Sequence, residues 1–331
     1  MRPLKPVSVV TGGAGFIGSH MVDLLVSEGH IVRVIDNLSG GRIENLVQHT
    51  GSSQLIVEEK DIIDLDANDR LFSEVDNVFH FAGIGDIVPS IETPVDYMNI
   101  NVQGTVKVLE AARNARIKRF VYAASSSCYG LANTPTSETA AIELQYPYAL
   151  SKYLGELAAF HWQKVYGLSV NSVCIFNAYG TRSRTTGAYG AVFGVFLRQK
   201  LAGHPFTVVG DGTQSRDFVY VTDVARAFLA AAECVAVGER FNVGSGNPRT
   251  ISTLVELLGG SIKYIPWRKG EPKITHADIS KIKTMTDWEP TVSFEEGVQM
   301  ILSEIDYWKE APLWTVDRIS KATEAWHKYL S

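Results

Sequence analysis

Cysteine is scarce in this chain: three residues in 331, Cys128, Cys174 and Cys234, with no Cys-x-x-Cys spacing. An odd, scattered set excludes a disulfide framework and a zinc knuckle and predicts a reducing compartment. Basic charge is not in excess either. The 31 Lys and Arg are outnumbered by 36 Asp and Glu, for a formal net charge of −5, so no global positive field recruits nucleic acid or an anionic membrane. An anionic ligand must then be held locally, by a few arginines and by backbone N–H groups. No apolar run approaches the ~20 residues that span a bilayer, and a strand and a glycine turn fill about the first dozen residues, leaving no room for a signal peptide. A cytoplasmic protein is expected. The eight histidines show no metal-ligand spacing and no Ser-His-Asp array, so no metal is expected.

What is present reads as an ordinary globular protein, 45% hydrophobic and 20% charged, long enough for two lobes with a cleft between them. Short β-branched runs at residues 7–11, 31–35, 55–57, 78–81, 120–123 and 170–175 alternate with helical patterns. That alternation predicts an α/β fold, a Rossmann-like doubly wound parallel sheet built from right-handed crossovers. After about Phe176, loops rich in Gly, Arg and Thr and prolines at Pro205, Pro248, Pro266, Pro272 and Pro290 mark a smaller, mostly C-terminal α/β substrate lobe. The expected division is a dinucleotide-binding domain over residues 1–176 and a substrate lobe over 177–331. Residues 218–243 return to the first domain, as a helix over 218–233 and a strand over 239–243. Residues 315–329 place Ile319, Ala322, Trp326 and Tyr329 at helical spacing, which predicts one helix docked on the body.

Gly13, Gly15 and Gly18 form a G-x-G-x-x-G between a predicted strand and a predicted helix, the context this fingerprint requires. Glycines there permit a tight turn and let a pyrophosphate approach the helix N-terminus. Asp36 ends the second strand, where a carboxylate accepts ribose hydroxyls and repels a 2′-phosphate; NAD is favoured over NADP, although the nearby Arg33 and Arg42 weaken that repulsion. Tyr148 and Lys152 lie four residues apart on one helix face. An ammonium there favours the phenolate and brings a tyrosine, ordinarily near pKa ~10, toward neutral pH as a proton-transfer group.

The string Thr11-Gly12-Gly13-Ala14-Gly15-Phe16-Ile17-Gly18 resembles the T-G-x-x-G-x-x-G of extended short-chain dehydrogenase/reductases, the family that includes the sugar-nucleotide epimerases and dehydratases. The likeness covers nearly the whole chain, through Asp61-Ile62, His80-Phe81-Ala82-Gly83, Asn101-Val102-Gln103-Gly104-Thr105, Ser125-Ser126-Ser127-Cys128-Tyr129-Gly130 and the Tyr148/Lys152 pair. It implies NAD as cofactor, surrounded by Gly12, Gly15, Phe16, Ile17, Gly18, Asp36, Asn37, Asp61, Ile62, Ala82, Gly83, Asn101, Tyr148 and Lys152. It also implies that Ser125 bridges a sugar oxygen and Tyr148. Ser126 and Ser127 stand where family dehydratases and decarboxylases carry acids, and a serine is a poor proton donor to a leaving hydroxyl. The reaction implied is therefore inversion at C4 of a UDP-hexose through a transient 4-keto sugar. A 4,6-dehydratase, a decarboxylase or a 4-keto reductase is the alternative, and a non-catalytic NAD sensor the remote one.

For the substrate, Asn177 resembles the asparagine of F-N-x-x-G, Arg216 the arginine of G-D-G-x-x-x-R-D-F, and Arg268 with Glu271 the R-x-G-D segment. These imply two arginines and an asparagine at the diphosphate, Glu271 at the ribose, and the stretch from Ala191 and Val192 to Phe196 at the base through backbone and ring contacts. Thr275 matches a position that gates the sugar's substituents, and a small residue there implies a roomy pocket. Arg184 matches an arginine that some uronic-acid epimerases use for the C6 carboxylate, so glucose, N-acetylglucosamine and glucuronate types all stay open. The family also implies a role in polysaccharide biosynthesis and a homodimer through helices near 101–113 and 148–166. Ala111, Ala112, Ala158 and Ala159 would serve that interface or packing within one subunit.

Overall fold

A computed structural model describes residues 5–185, 192–268 and 270–330; Ala191, expected at the base, lies outside the described residues. Seven strands, β1 Val7–Thr11, β2 Ile31–Asp36, β3 Leu55–Glu59, β4 Asn77–His80, β5 Arg119–Ser125, β6 Val170–Ile175 and β7 Arg240–Val243, form one parallel sheet. Their order is β7-β6-β5-β4-β1-β2-β3. The fold class is the one the alternating pattern predicts. The fourth strand stops one residue short of the predicted Phe81, and the fifth runs on to Ser125.

Helices cover both faces, so successive strand residues enter different cores. Val10, Phe79, Val121 and Phe241 pack with Met21 and Leu25 of helix Phe16–Ser27 and with Phe228 and Ala231 of helix Val221–Glu233. Val9, Val78, Phe120 and Tyr122 pack on the other side with Val108 and Leu109 of helix Thr105–Asn114 and Ala159 of helix Pro147–Tyr166. Each large side chain so buried contributes roughly 1.5–3 kcal/mol, and Phe228→Ala, which opens a cavity, costs about 3–5 kcal/mol. Ala111, Ala112 and Ala159 are buried within this one chain.

Most of the remaining elements build a second core, rich in aromatic rings. Phe206–Val209 pairs in parallel with Ile262–Ile265, and Ser215–Arg216 pairs antiparallel with Arg249–Thr250. Tyr179 stacks on Phe193 at 4.8 Å and Phe218 on Phe294 at 5.1 Å, with Trp308 fully buried nearby. A reciprocal Ser293/Glu296 capping box starts helix Phe294–Ser303 and fixes where it enters this core.

Two segments depart from the sequence pattern. Residues 218–233 are not one helix: Phe218–Tyr220 is a strand parallel to Asn177–Tyr179, and the helix begins at Val221. Aromatic and β-branched residues buried on a pleated surface gain more from that pairing than from a helical first turn. Residues 315–329 form two helices, Val316–Ala322 and Glu324–Tyr329. The Thr323 hydroxyl between them turns back on the carbonyls of Ile319 and Ser320, a backbone bond that competes with helix continuation. Ile319 and Trp326 are buried, whereas Tyr329 is exposed. Among the described residues no helix is long and apolar enough to cross a membrane.

Strand order reverses between β1 and β4, the two central neighbours. Chain leaving their carboxyl ends runs to opposite sides of the sheet, and a crevice opens between.

Candidate active site

That crevice is a cleft of about 790 Å³. Gly12 makes the first turn out of β1 at φ +70, with its N–H on the Ile35 carbonyl at 2.8 Å. Helix Phe16–Ser27 follows at once and sits so close that a Cβ on Gly18 would lie 2.1 Å from the Gly12 oxygen. No side chain caps the helix at Gly15, and Phe16, Ile17 and Gly18 are on the cleft wall. Uncapped first-turn N–H groups and the positive helix end make this an anion cradle.

Asp36, at the end of β2, accepts the N–H of Ala14 at 3.0 Å and of Leu38 at 2.8 Å, so it braces the glycine turn as well as facing the cleft. Burial raises its pKa, and those two N–H groups oppose the rise. The two arginines expected to soften its charge are occupied elsewhere. Arg33 donates to the carbonyls of Leu71 and Ser73, and Arg42 lies over the Tyr307 ring. Asn37 donates to Asp61 at 2.7 Å on the same rim, and Asp61 caps the turn Ile62–Asp64, which sets Ile62 on the wall.

His80 ends β4 with both ring nitrogens satisfied, by Thr11 at 2.7 Å and Thr105 at 2.9 Å. Burial, aided by the charge of Lys152, pushes its pKa down to about 3. It is a neutral brace, and Thr11 passes the connection on to the Ala82 N–H. Ala82 and Gly83 line the cleft. Asn101 does not, contrary to the expectation that it lies against the cofactor. It is 1% exposed, and its amide is spent on both backbone groups of Ile84 and on the Ser151 hydroxyl, behind the loop.

Ser125 at the end of β5 and Tyr148 both line the cleft, with Lys152 one helical turn on. The protein by itself does not lower the tyrosine. Burial pushes Tyr148 up to about 12, with only the Ser125 hydroxyl pulling it down. The pull expected from Lys152 is not among the causes; the ammonium is itself buried, which brings it down to about 8, with Glu156 opposing. Lys152 lies over the Tyr122 ring at 4.6 Å. Ser126 and Ser127, also expected among the substrate-binding residues, fall on the turn Ser126–Tyr129 and are not on the cleft wall; the Ser127 N–H donates to the Ser125 hydroxyl at 3.3 Å.

Asn177, Val192, Arg216, Arg268 and Glu271 also stand on the cleft wall. Arg216 donates to Glu271 at 2.6 Å, and Arg268 lies 3.7 Å from the second Glu271 oxygen, which accepts no hydrogen bond. Thr275 is not on the wall, against the expectation that it gates the pocket. Its hydroxyl donates to Asn177 at 2.7 Å and accepts the Asp217 N–H, so it positions Asn177. Arg184 is on the wall but is paired with Asp86 at 2.9 Å. The rings of Phe193 and Phe196, within the stretch 191–196 expected at the base, also line the cleft, as does Asp86, which the motif reading missed. A carboxylate directly after glycine beyond the fourth strand was the available signal for Asp86.

A model described as the NAD dependent epimerase/dehydratase family matches residues 8–244. The chain belongs to that family. It is an enzyme family, and NAD is its cofactor. The cleft of this member fits a dinucleotide on its own geometry, through a glycine turn that a Cβ would fill, an uncapped helix end and a carboxylate at the end of β2. The chain is similar to the UDP-glucose 4-epimerase of Mycolicibacterium smegmatis, 34% identical over 300 residues, covering 88% of this chain and 96% of that protein. It is similar to a UDP-N-acetyl-alpha-D-glucosaminuronate decarboxylase of Bacillus cytotoxicus, 32% identical over 314 residues, covering 89% and 96%. The crystal structure of a UDP-glucuronic acid 4-epimerase from Bacillus cereus in complex with UDP-glucuronic acid and NAD is similar at TM-score 0.84 and 30% identity, covering 92% of this chain and 99% of that chain.

Proposed function

We propose that this family member is a UDP-hexose 4-epimerase that works through a transient 4-keto sugar. One observation carries the reading: a single cleft holds Ser125, Tyr148 and Lys152 together with Arg216 and Arg268, while Ser126 and Ser127 bring no acid to it. Bound NAD would supply the acceptor and donor of the C4 hydride. Tyr148 takes the C4 hydroxyl proton with Ser125 as the bridge, and gives it back when the sugar is reduced. Lys152, beside Tyr148 on the cleft wall, orients the nicotinamide ribose. Asp36, Asn37, Asp61 and Ile62 receive the adenosine end, and the glycine turn receives the pyrophosphate.

Arg216 and Arg268 hold the sugar's diphosphate through planar, charge-assisted donors, with Asn177 beside them. The sugar is thereby free to turn about its diphosphate and present its other face without leaving. Glu271 retains one oxygen for the uridine ribose, and Val192 borders the base. A decarboxylase or dehydratase is the second reading, favoured by the similarity to the Bacillus cytotoxicus enzyme; release of CO₂ or of a 4-keto product distinguishes it. The reading also includes a homodimer, supported by Leu157, Val165 and Tyr166 exposed on helix Pro147–Tyr166, and a cytoplasmic place in polysaccharide biosynthesis. Incubation with NAD and each UDP-sugar, followed by proton NMR of H4, tests the reaction; sedimentation tests the dimer.

A further inference from the structure

The loop that leaves β4 presents a carboxylate to the cleft from an unusual backbone. Asp86 follows Gly83, Ile84 and Gly85 along the wall and holds φ 76, ψ 132, a region that L side chains avoid and that persists only where the surroundings enforce it. The surroundings here do so from two sides. The Tyr97 hydroxyl donates to the carbonyls of both Gly85 and Asp86, and Asn101 ties down both backbone groups of Ile84. Outliers of this kind concentrate at ligand sites. The Tyr97 ring lies edge-on to Tyr148 at 6.3 Å, and the Asp86 charge helps to raise the Tyr148 pKa. Asp86 therefore belongs to the Tyr148 part of the cleft.

Its partner is Arg184, Nη1 to Oδ2 at 2.9 Å, also on the wall. An unpaired arginine there would attract a sugar carboxylate. Paired, it is already neutralised, and an incoming hexuronate must both displace Asp86 and face a like charge. A neutral hexose meets an acceptor and a donor side by side, which suit hydroxyl or acetamido groups. Resting on the 4-epimerase reading, we propose that Asp86 is a specificity-determining residue that reserves Arg184 and sets this cleft for a neutral UDP-hexose against a UDP-hexuronate. The discrimination is partly repulsive, and removing the repulsive element relaxes it.

The test compares NAD-loaded wild type, Asp86→Asn and Asp86→Gly. Asparagine is isosteric and tolerates positive φ; glycine removes the backbone strain and secures a folded variant. For each, kcat/KM and calorimetric Kd are measured with UDP-glucose, UDP-N-acetylglucosamine and UDP-glucuronate. The expected result is a wild-type preference for the neutral sugars that moves toward UDP-glucuronate by about tenfold or more in both variants, in turnover and in binding. A wild type that prefers UDP-glucuronate, or a ratio unmoved by both substitutions, overturns the proposal. A 4-keto-6-deoxy product that disappears in Asp86→Asn also overturns it, by making Asp86 a proton donor. If no UDP-sugar is inverted at C4, the 4-epimerase reading fails by itself, and the Kd ratios still decide the part played by Asp86.

Discussion

Gly18→Ala probes the cofactor turn through a contact that cannot relax cheaply. The new Cβ would lie 2.1 Å from the Gly12 oxygen, 2.8 Å from the Gly12 carbonyl carbon and 2.9 Å from the Gly13 Cα. All three are backbone atoms, so no rotamer change relieves them. Close carbon–oxygen approaches in proteins are about 3.3 Å, and the start of helix Phe16–Ser27 must therefore back away from the turn by about 1 Å. Overpacking of that kind costs about 1–3 kcal/mol of stability. The same shift carries the first-turn N–H groups off the pyrophosphate, and a well-placed charge at a helix end is worth up to ~2 kcal/mol, so the NAD Kd rises by about tenfold or more. Gly15→Ala is the control: its Cβ meets only the Gly12 oxygen, at 3.1 Å, so its loss appears in NAD affinity and little in stability. Urea unfolding with calorimetric NAD titration reads both quantities. A Gly18→Ala protein within about 0.5 kcal/mol of wild type and with unchanged NAD affinity would refute the reasoning.

Three further outcomes are expected. Tyr148→Phe lowers kcat by about 10²–10⁴ while calorimetry still finds NAD bound; a loss of less than about tenfold contradicts a proton-transfer role for the phenol. Arg216→Met weakens binding of UDP by about ten- to a hundredfold, the worth of a charge-assisted hydrogen bond, and an unchanged Kd places the diphosphate elsewhere. His80 is held near pKa 3 in the fold and titrates near ~6.5 when unfolded. Its contribution is complete above that higher pH and is lost as pH falls toward 3, because the unfolded chain takes up the proton first. At pH 5 the loss is about 2 kcal/mol. Denaturant titrations at pH 7 and pH 5 should show a His80→Gln variant losing less stability across that step than wild type, and equal losses in the two proteins contradict the assignment.

The strands were legible because each is a short β-branched run bounded by turn residues, and the glycine turn because its spacing is local. Other features depend on geometry that spacing does not carry. The Asn101 motif fixes its place in the chain, yet only the path of the loop at Ile84 shows that its amide braces backbone. Thr275 read as a gate, and its bond to Asn177, distant in sequence, makes it a support. Phe218–Tyr220 fits a helical pattern as well as a strand until its parallel partner Asn177–Tyr179 is known. Asp86 escaped notice because its meaning lies in a positive φ and in Arg184, which the fold alone brings together. The Tyr148 pKa lies above its ordinary value, not below it, since spacing reveals the nearby ammonium but not the burial of the phenol.

The central claim is C4 inversion by Tyr148 in an NAD-loaded cleft. Proton NMR of H4 during incubation of the NAD-loaded protein with UDP-glucose and with UDP-N-acetylglucosamine tests it most directly. At least one of the two is expected to convert to a stable mixture of its C4 epimers with no net change in NAD, and Tyr148→Phe to slow that conversion by about 10²–10⁴. A single 4-keto or decarboxylated product, or full conversion by Tyr148→Phe, would contradict it.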